Sequence, residues 1–232
     1  LSGGMALQLS VAERWKAVTG CPICEGYGMT ETSPVATVNP IQNIQAGTIG
    51  IPVPSTLCKV INDAGEELPL GEIGELCIKG PQVMKGYWER PDATDEIMDS
   101  DGWLKSGDIA VIQPDGYMRI VDRKKDMILV SGFNVYPNEL EDVMASLPGV
   151  LQSAAIGIPD EKTGELIKVF IVVKPGMTLT KDQVMAHMRA NLTAYKAPKI
   201  VEFRDALPTT NVGKILRREL RDEELKKLGL KK

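Results

Sequence analysis

Three observations in the sequence predict a globular chain of mixed α/β and α+β class with more than one domain. The 232 residues are 43% hydrophobic and 25% charged, which is the composition of a folded protein with a sizeable core. Helical periodicity near the start gives way to short β-like runs, and these give way to alternating strands and helices. We expect an α/β segment over 1–46, a β-rich subdomain over 47–121, a connecting segment at 122–127 and an α+β domain over 128–232.

The first segment carries one helix and one glycine-rich turn. An amphipathic helix is expected over about 6–19 and ends at Gly20. Its apolar face is formed by residues spaced i, i+4, i+8 and i+11, namely Leu7, Val11, Trp15 and Val18. A short strand at 22–25 then leads into the turn at 26–31. A loop that follows a strand is a common place for ligands in α/β proteins.

The second segment is predicted to be mostly strand. Short apolar runs lie between Gly, Pro and Asp-Gly turn signals, at 58–61, 75–78 and 117–121. A polar insertion at 89–102 separates the last two runs. A β-rich subdomain is the simplest account of this pattern.

The third segment alternates helices with strands. Pro137 and the acidic residues after it indicate a helix start, and Thr180 with Gln183 has the spacing of a capping box. Strands are expected at about 151–158, 166–173 and 199–204. The basic tail from Lys214 is predicted to form an amphipathic helix with a solvated outer face.

Composition also excludes several classes of protein. The apolar runs are far shorter than the ~20 residues that span a bilayer. With 27 basic and 31 acidic residues, the net charge of −4 does not favour a nucleic-acid partner. Four cysteines and no secretory segment favour a reducing, cytoplasmic setting. A chain that begins Leu1-Ser2-Gly3-Gly4, without an initiator Met, is expected to be a fragment.

Two short motifs that often mark functional sites are only partly present in this sequence. Cys21 and Cys24 have C-x-x-C spacing, but no second close cysteine pair or histidine cluster accompanies them. Gly213-Lys214 resembles the end of a phosphate-binding P-loop, yet Ile215 stands where Ser or Thr is required. A P-loop is therefore rejected.

Four segments, taken in order, resemble the acyl-adenylate-forming (AMP-binding) superfamily, and within it the bacterial long-chain fatty-acid CoA ligases. They are Glu25–Glu31, Gly102–Asp108, Asp122–Asp126 with Ser131-Gly132, and Pro208–Arg218. The resemblance implies a C-terminal fragment that contains the end of a large α/β N-terminal domain, a β-barrel-like subdomain, a hinge, and a small α+β C-terminal domain of the acyl-CoA synthetase type. It also implies that the upstream phosphate loop is missing, so the fragment alone is expected to be inactive.

The resemblance implies a two-step reaction. A fatty acid and ATP give acyl-AMP and pyrophosphate, and the thiol of coenzyme A then displaces AMP to give acyl-CoA. Lys214 is the implied catalytic cation, because two anionic reactants need positive charge between them. Glu31 is the implied Mg²⁺ ligand, and Thr30 the donor to the α-phosphate.

The remaining site residues are implied by the same resemblance. Tyr27 offers its ring to adenine, while Asp108 and Arg123 serve the ribose. The glycine of Ser131-Gly132 leaves room for the pantetheine arm of coenzyme A. Lys125 is the implied hinge residue. The full set expected to contact nucleotide or coenzyme A is Gly3, Gly4, Met5, Glu25, Gly26, Tyr27, Gly28, Met29, Asp108, Ile120, Arg123 and Gly132.

Two alternatives stay open. The chain could come from another adenylate-forming ligase (medium-chain, aryl or luciferase-like), because acyl specificity resides mostly in residues absent here. It could also be a noncatalytic adenylate-binding module, although the presence of both Lys214 and Glu31 argues against a degenerate site. Peripheral association of the intact enzyme with the inner membrane, and self-association of the fragment through the helix at 6–19, are further expectations.

Overall fold

The structure, a computed structural model, describes residues 1–4, 7, 9–211 and 213–230. These residues form two compact units, Leu1–Lys124 and Lys125–Lys232. The boundary between the units lies within the segment 122–127, where the sequence predicts a hinge.

The described part of the first unit contains two helices and two antiparallel sheets. The helices are α1 (Leu9–Thr19) and α2 (Pro91–Ile97). The strands β1 (Gly26–Tyr27), β2 (Thr37–Val38) and β3 (Ile51–Pro52) form a small sheet in the order β1-β2-β3. The strands β4 (Leu57–Ile61), β5 (Ile73–Lys79), β6 (Leu104–Ile112) and β7 (Met118–Arg123) form a second sheet in chain order.

Most of the predicted elements of the first unit are confirmed. The helix ends as expected, because Gly20 has φ +72° and donates its amide N–H to the carbonyl of Lys16 at 2.9 Å. The three predicted strands correspond to β4, β5 and β7. The helix α2 was not predicted, because the polar insertion that contains it has no apolar stripe, and no residue of α2 is buried.

Two expectations for this unit are wrong in detail. The strand lies at Gly26–Tyr27 rather than at 22–25, because Pro22 has no amide N–H to donate and the partner strand Thr37–Val38 pairs with the two glycine-turn residues instead. The barrel-like expectation fails because the four strands β4–β7 form an open sheet among the described residues. Its two edge strands, β4 and β7, are not paired with each other.

The second unit is an α+β unit with one mixed sheet in its described residues. Its helices are α3 (Pro137–Ala145), α4 (Lys181–Asn191) and α5 (Arg217–Lys227). Its strands are β8 (Ile128–Val130), β9 (Phe133–Val135), β10 (Val150–Asp160), β11 (Gly164–Val173) and β12 (Ile200–Phe203). The long strand β11 pairs antiparallel with β10 and β8 and parallel with β12.

Sequence signals within this unit correspond to local structure. The capping box of α4 is present, since Thr180 Oγ1 accepts from the amide of Gln183 and the Gln183 side chain accepts from the amide of Thr180. The tail helix α5 buries Leu220 in the apolar cluster on one face of the sheet. The helices α3 and α4 cover the other apolar cluster, which includes Leu140 and Met188.

A buried ion cluster joins α5 to the sheet. The ammonium of Lys168, a residue only 5% exposed, lies 2.6 Å from Glu202 and 2.7 Å from Glu224. Burial would raise the pKa of Glu202, but hydrogen bonds from Lys168 and Arg204 outweigh it and lower that pKa to about 2. Glu202 therefore favours the folded state most when it is ionised.

We predict that this cluster makes the chain sensitive to acid. An unfolded glutamate takes up its proton near pH 4.5, whereas Glu202 in the folded chain does so near pH 2. The stabilisation is therefore complete above about pH 4.5 and is lost as pH falls towards 2. Melting temperatures measured by circular dichroism should fall more steeply over this range for the wild-type chain than for Glu202→Gln. Parallel curves for the two proteins would contradict the prediction.

Candidate active site

The segment Glu25–Glu31 begins with a buried carboxylate that accepts hydrogen bonds from two backbone amides. Glu25 is 9% exposed, and its two carboxylate oxygens accept the amide N–H groups of Leu7 at 3.2 Å and Gly47 at 3.0 Å. Its carbonyl accepts from the amide of Asn39 at 2.8 Å. Glu25 thus fixes the backbone that leads into the turn, and a direct contact with a nucleotide stays a prediction.

Close approach of the backbone requires glycine at position 28 and leaves little room for a side chain at Gly26 or Gly3. A Cβ added to Gly28 would lie 1.7 Å from the carbonyl oxygen of Pro34, which no side chain allows. A Cβ on Gly26 would lie 3.2 Å from the carbonyl oxygen of Thr37, and one on Gly3 would lie 3.0 Å from that of Gly26. Gly4 adopts a left-handed conformation, with φ +86°. Met5 lies outside the described residues.

A single 3₁₀ turn, Thr30–Thr32, places the next two candidate residues. The fully buried Thr32 fixes it, because its hydroxyl oxygen accepts the amide N–H of Met29 at 3.0 Å and its own amide donates to the Met29 carbonyl at 3.0 Å. Thr30 is exposed and Glu31 is partly buried. The turn therefore leaves the Thr30 hydroxyl at the surface, where it can donate to a ligand.

Glu31 faces an open cavity of ≈ 320 Å³. Tyr87 donates its hydroxyl to Glu31 Oε1 at 2.6 Å, and this hydrogen bond, together with burial, raises the pKa of Tyr87. Lys124 also lines the cavity and is paired with the buried Glu75 at 2.8 Å. The lining residues are Met29, Glu31, Glu75, Tyr87, Glu96, Ile97, Leu104, Lys105, Ser106, Gly107 and Lys124.

One carboxylate in this cavity could serve as a ligand for a hard cation. Glu31 uses one oxygen for Tyr87 and keeps Oε2 for a hard cation, which prefers carboxylate oxygen. No cluster of three or more His, Cys, Asp or Glu side chains that could hold a metal occurs in the described part of the chain.

Asp108, on β6, is brought together with two of the other predicted residues. Tyr27 donates its hydroxyl to Asp108 Oδ2 at 2.6 Å, and Arg123 Nε lies 3.6 Å from Oδ1. The strand register explains the second contact, because Asp108 pairs directly with Arg123 between β6 and β7. Ile120, also on β7, is partly buried and packs with Tyr27 against the apolar cluster of this unit.

The candidate catalytic lysine lies in a tight loop of the second unit. Thr209 and Ile215 form an isolated antiparallel bridge, and the carbonyl of Lys214 accepts the amide N–H of Thr210 at 2.8 Å. Thr210 Oγ1 accepts the amide of Lys214 at 3.1 Å. Gly213 has φ +82°, as this turn requires. The backbone of Lys214 is therefore held in this loop by two hydrogen bonds to Thr210.

Gly132 and Lys125 lie elsewhere in the same unit. Ser131 and Gly132 form the two-residue turn of the β8–β9 hairpin, with φ +52° and +84°. A Cβ on Gly132 would meet no atom within 4 Å. This glycine therefore allows the left-handed conformation of the turn and leaves open space beside it. Lys125 is exposed in the 3₁₀ turn Lys124–Asp126. The hinge role of Lys125 and the coenzyme A contact of Gly132 stay predictions.

Several residues of the cavity escaped sequence reasoning. Tyr87 lies 56 residues from its partner Glu31. Glu75, Glu96 and Lys124 belong to a strand, a helix and a 3₁₀ turn that local patterns do not connect. The exposure of the adjacent aromatic residues Tyr87 and Trp88 is seen only in the structure.

Both units of the chain resemble known proteins in sequence. Residues 1–88 match the model of the AMP-binding enzyme family, and residues 139–214 match that of the AMP-binding enzyme C-terminal domain. The chain is 59% identical over 222 residues to a long-chain-fatty-acid–CoA ligase of Escherichia coli, covering 95% of this chain and 39% of the relative. It is 43% identical over 223 residues to a feruloyl-CoA synthase of an Amycolatopsis species, covering 95% of this chain and 45% of the relative.

A solved structure shows the same fold. The crystal structure of ATP-bound MatB from Rhodopseudomonas palustris superimposes with a TM-score of 0.91 at 38% identity, over 98% of this chain and 45% of that one. The chain therefore spans less than half the length of these relatives. Within the described residues, no helix has both the length and the apolar character needed to cross a membrane. By both family models and by these identities, the chain belongs to the AMP-binding enzyme family.

Proposed function

We propose that the chain is the C-terminal part of an ATP-dependent long-chain fatty-acid CoA ligase, an acid–thiol ligase. The observation that supports this most is the 59% identity, over 95% of the chain, to a ligase of that name. In this proposal a fatty acid and ATP give acyl-AMP and pyrophosphate, and coenzyme A then gives acyl-CoA and AMP.

The first unit supplies the nucleotide contacts in this proposal. Asp108 accepts hydrogen bonds from the ribose hydroxyls, and Arg123 donates beside it. Thr30 donates its exposed hydroxyl to the α-phosphate. Glu31 would hold Mg²⁺ through the carboxylate oxygen that Tyr87 does not use, and the ion would supply positive charge beside the phosphates.

In this proposal the second unit supplies the catalytic cation and the space that admits coenzyme A. Lys214 places positive charge where the fatty-acid carboxylate attacks the α-phosphate, because two anions otherwise repel each other. The open space at Gly132 admits the pantetheine arm. Lys125 is the proposed hinge residue between the two half-reactions.

The setting and partners belong to the same proposal. The intact enzyme acts in the bacterial cytoplasm in lipid metabolism and associates peripherally with the inner membrane. The chain alone is inactive and self-associates through α1, whose Val11, Trp15 and Val18 are 49%, 50% and 79% exposed.

A second candidate is an aryl-CoA ligase, which the 43% identity to a feruloyl-CoA synthase favours. Both candidates share the adenylate chemistry and differ in the acid.

One experiment separates these functions. The full-length protein that carries this chain is given ATP, Mg²⁺, coenzyme A and either short, medium or long fatty acids or ferulate, and AMP and thioesters are measured by mass spectrometry. We expect equal amounts of AMP and acyl-CoA with long-chain acids. Turnover of ferulate alone would favour the aryl ligase. No AMP with any acid, from folded protein, would contradict both, and turnover by residues 1–232 alone would contradict the inactivity of the chain.

A further inference from the structure

We propose that Tyr27 is a positioning residue whose hydroxyl holds the Asp108 carboxylate in the orientation that recognises ribose. The inference rests on the proposed function, in which Asp108 accepts from the ribose hydroxyls. It gives Tyr27 a role in nucleoside selectivity that is separate from any contact of its ring with adenine.

The contact has the geometry of a charge-assisted hydrogen bond. The distance from Tyr27 Oη to Asp108 Oδ2 is 2.6 Å, within the 2.5–2.7 Å typical of a hydroxyl that donates to a carboxylate. Burial, and then the charge of Asp108, raise the pKa of Tyr27 well above its usual value. The phenol therefore stays protonated and donates throughout the physiological range.

The bond fixes the plane of the carboxylate while leaving acceptor sites for a ligand. An ionised carboxylate has about four acceptor positions, and Tyr27 takes one of them. Arg123 lies 3.6 Å from Oδ1, beyond hydrogen-bonding distance, so its attraction adds charge without occupying that oxygen. Rotating the carboxylate would break the bond to Tyr27. Oδ1 and the second lone pair of Oδ2 are thus held ready for two hydroxyl donors.

Both ends of the contact are held by the fold. The Tyr27 ring packs against the apolar cluster of the first unit, and its carbonyl accepts the amide N–H of the buried Ala36 at 2.9 Å. The Asp108 side chain is 12% exposed, and its amide donates to Ser106 Oγ at 3.1 Å. Phenylalanine would fill the same space in the apolar cluster. The tyrosine hydroxyl must therefore have a role other than packing, and its contact is the Asp108 carboxylate.

The test uses the full-length protein and nucleotides that need no metal. Dissociation constants for AMP, 2′-deoxy-AMP and 3′-deoxy-AMP are measured by calorimetry for the wild type, Tyr27→Phe and Asp108→Asn. Tyr117→Phe is the matched control, because it removes another tyrosine hydroxyl of the first unit, bonded to the Asn43 carbonyl at 2.5 Å, that lies outside the candidate site. Urea unfolding confirms that each variant folds.

We expect Tyr27→Phe to weaken AMP binding about tenfold and to change the binding of at least one deoxy-AMP less than twofold, so that discrimination against it shrinks. Tyr117→Phe should leave the discrimination unchanged. An equal loss for AMP and both deoxy nucleotides would mean that the hydroxyl acts through packing, which would overturn the inference. If Asp108→Asn prefers AMP over both deoxy nucleotides as strongly as the wild type does, Asp108 does not recognise the ribose, and that part of the proposed function is wrong.

A second measurement needs no change at Tyr27. In protein labelled with ¹³C at the tyrosine ζ carbon, the chemical shift of Tyr27 at neutral pH should differ between Asp108→Asn and the wild type, because the hydroxyl no longer donates to a charged carboxylate. An unchanged Tyr27 chemical shift would show that the hydrogen bond is not made in solution and would overturn the inference even if Tyr27→Phe did not fold.

Discussion

Replacing Lys214 with alanine in the full-length protein is expected to lower the rate of acyl-adenylate formation about 100-fold or more. The attacking carboxylate and the α-phosphate are both anionic, and the substitution removes the compact cation proposed to lie between them. Coenzyme A attack on supplied acyl-adenylate should survive, because that step starts from a neutral acyl carbon with AMP as the leaving group.

The structure supports a test in which the loop itself is preserved. The backbone of Lys214, rather than its side chain, makes the hydrogen bonds to Thr210 that shape the turn. Alanine therefore retains these backbone hydrogen bonds while removing the ammonium. Lys174→Ala is the matched control, since Lys174 is an exposed lysine of the same unit on a different turn. Single-turnover rates for each half-reaction are the measurement, and equal losses in both would refute the separate role of Lys214.

Gly28→Ala is expected to destabilise the first unit by about 3 kcal/mol or more. The added Cβ would lie 1.7 Å from the carbonyl oxygen of Pro34, 2.7 Å from its carbonyl carbon and 2.9 Å from the Cα of Val35. All three are backbone atoms, so no side-chain rotation can relieve the clash. The segment that carries Tyr27, Thr30 and Glu31 would have to move, and nucleotide binding should be lost with it.

A variant of a second glycine measures the cost of a side chain in a left-handed backbone conformation without a steric clash. Gly65→Ala places a Cβ at a residue with φ +83° but with no atom within 4 Å, so only the left-handed backbone is penalised, at about 1–2 kcal/mol. Urea unfolding of both variants in the same background measures the two costs. A loss at Gly28 no larger than the loss at Gly65 would show that the loop adapts to the added methyl group, contrary to this expectation.

Local signals account for what could be predicted correctly. The helix start at Pro137, the capping box of Thr180 and Gln183, and the helix end at Gly20 depend on groups within four residues of each other. The strands β4, β5 and β10 follow from apolar runs with turn signals at their ends. The helix α2 and the shift of β1 to Gly26–Tyr27 were missed, because one lacks an apolar face and the other depends on a partner strand.

The sequence by itself determined the family, several of the helices and strands and the residue types available for adenylate chemistry, because motifs and periodicity are properties of neighbouring residues. The tertiary structure alone decided that Tyr27 donates to Asp108 from 81 residues away and that Tyr87 donates to Glu31 from 56 residues away. It also decided that β4–β7 stay an open sheet and that Gly28 admits no side chain. These contacts depend on how strands and turns pack in space, and no short-range pattern encodes a distance between residues that only folding brings together.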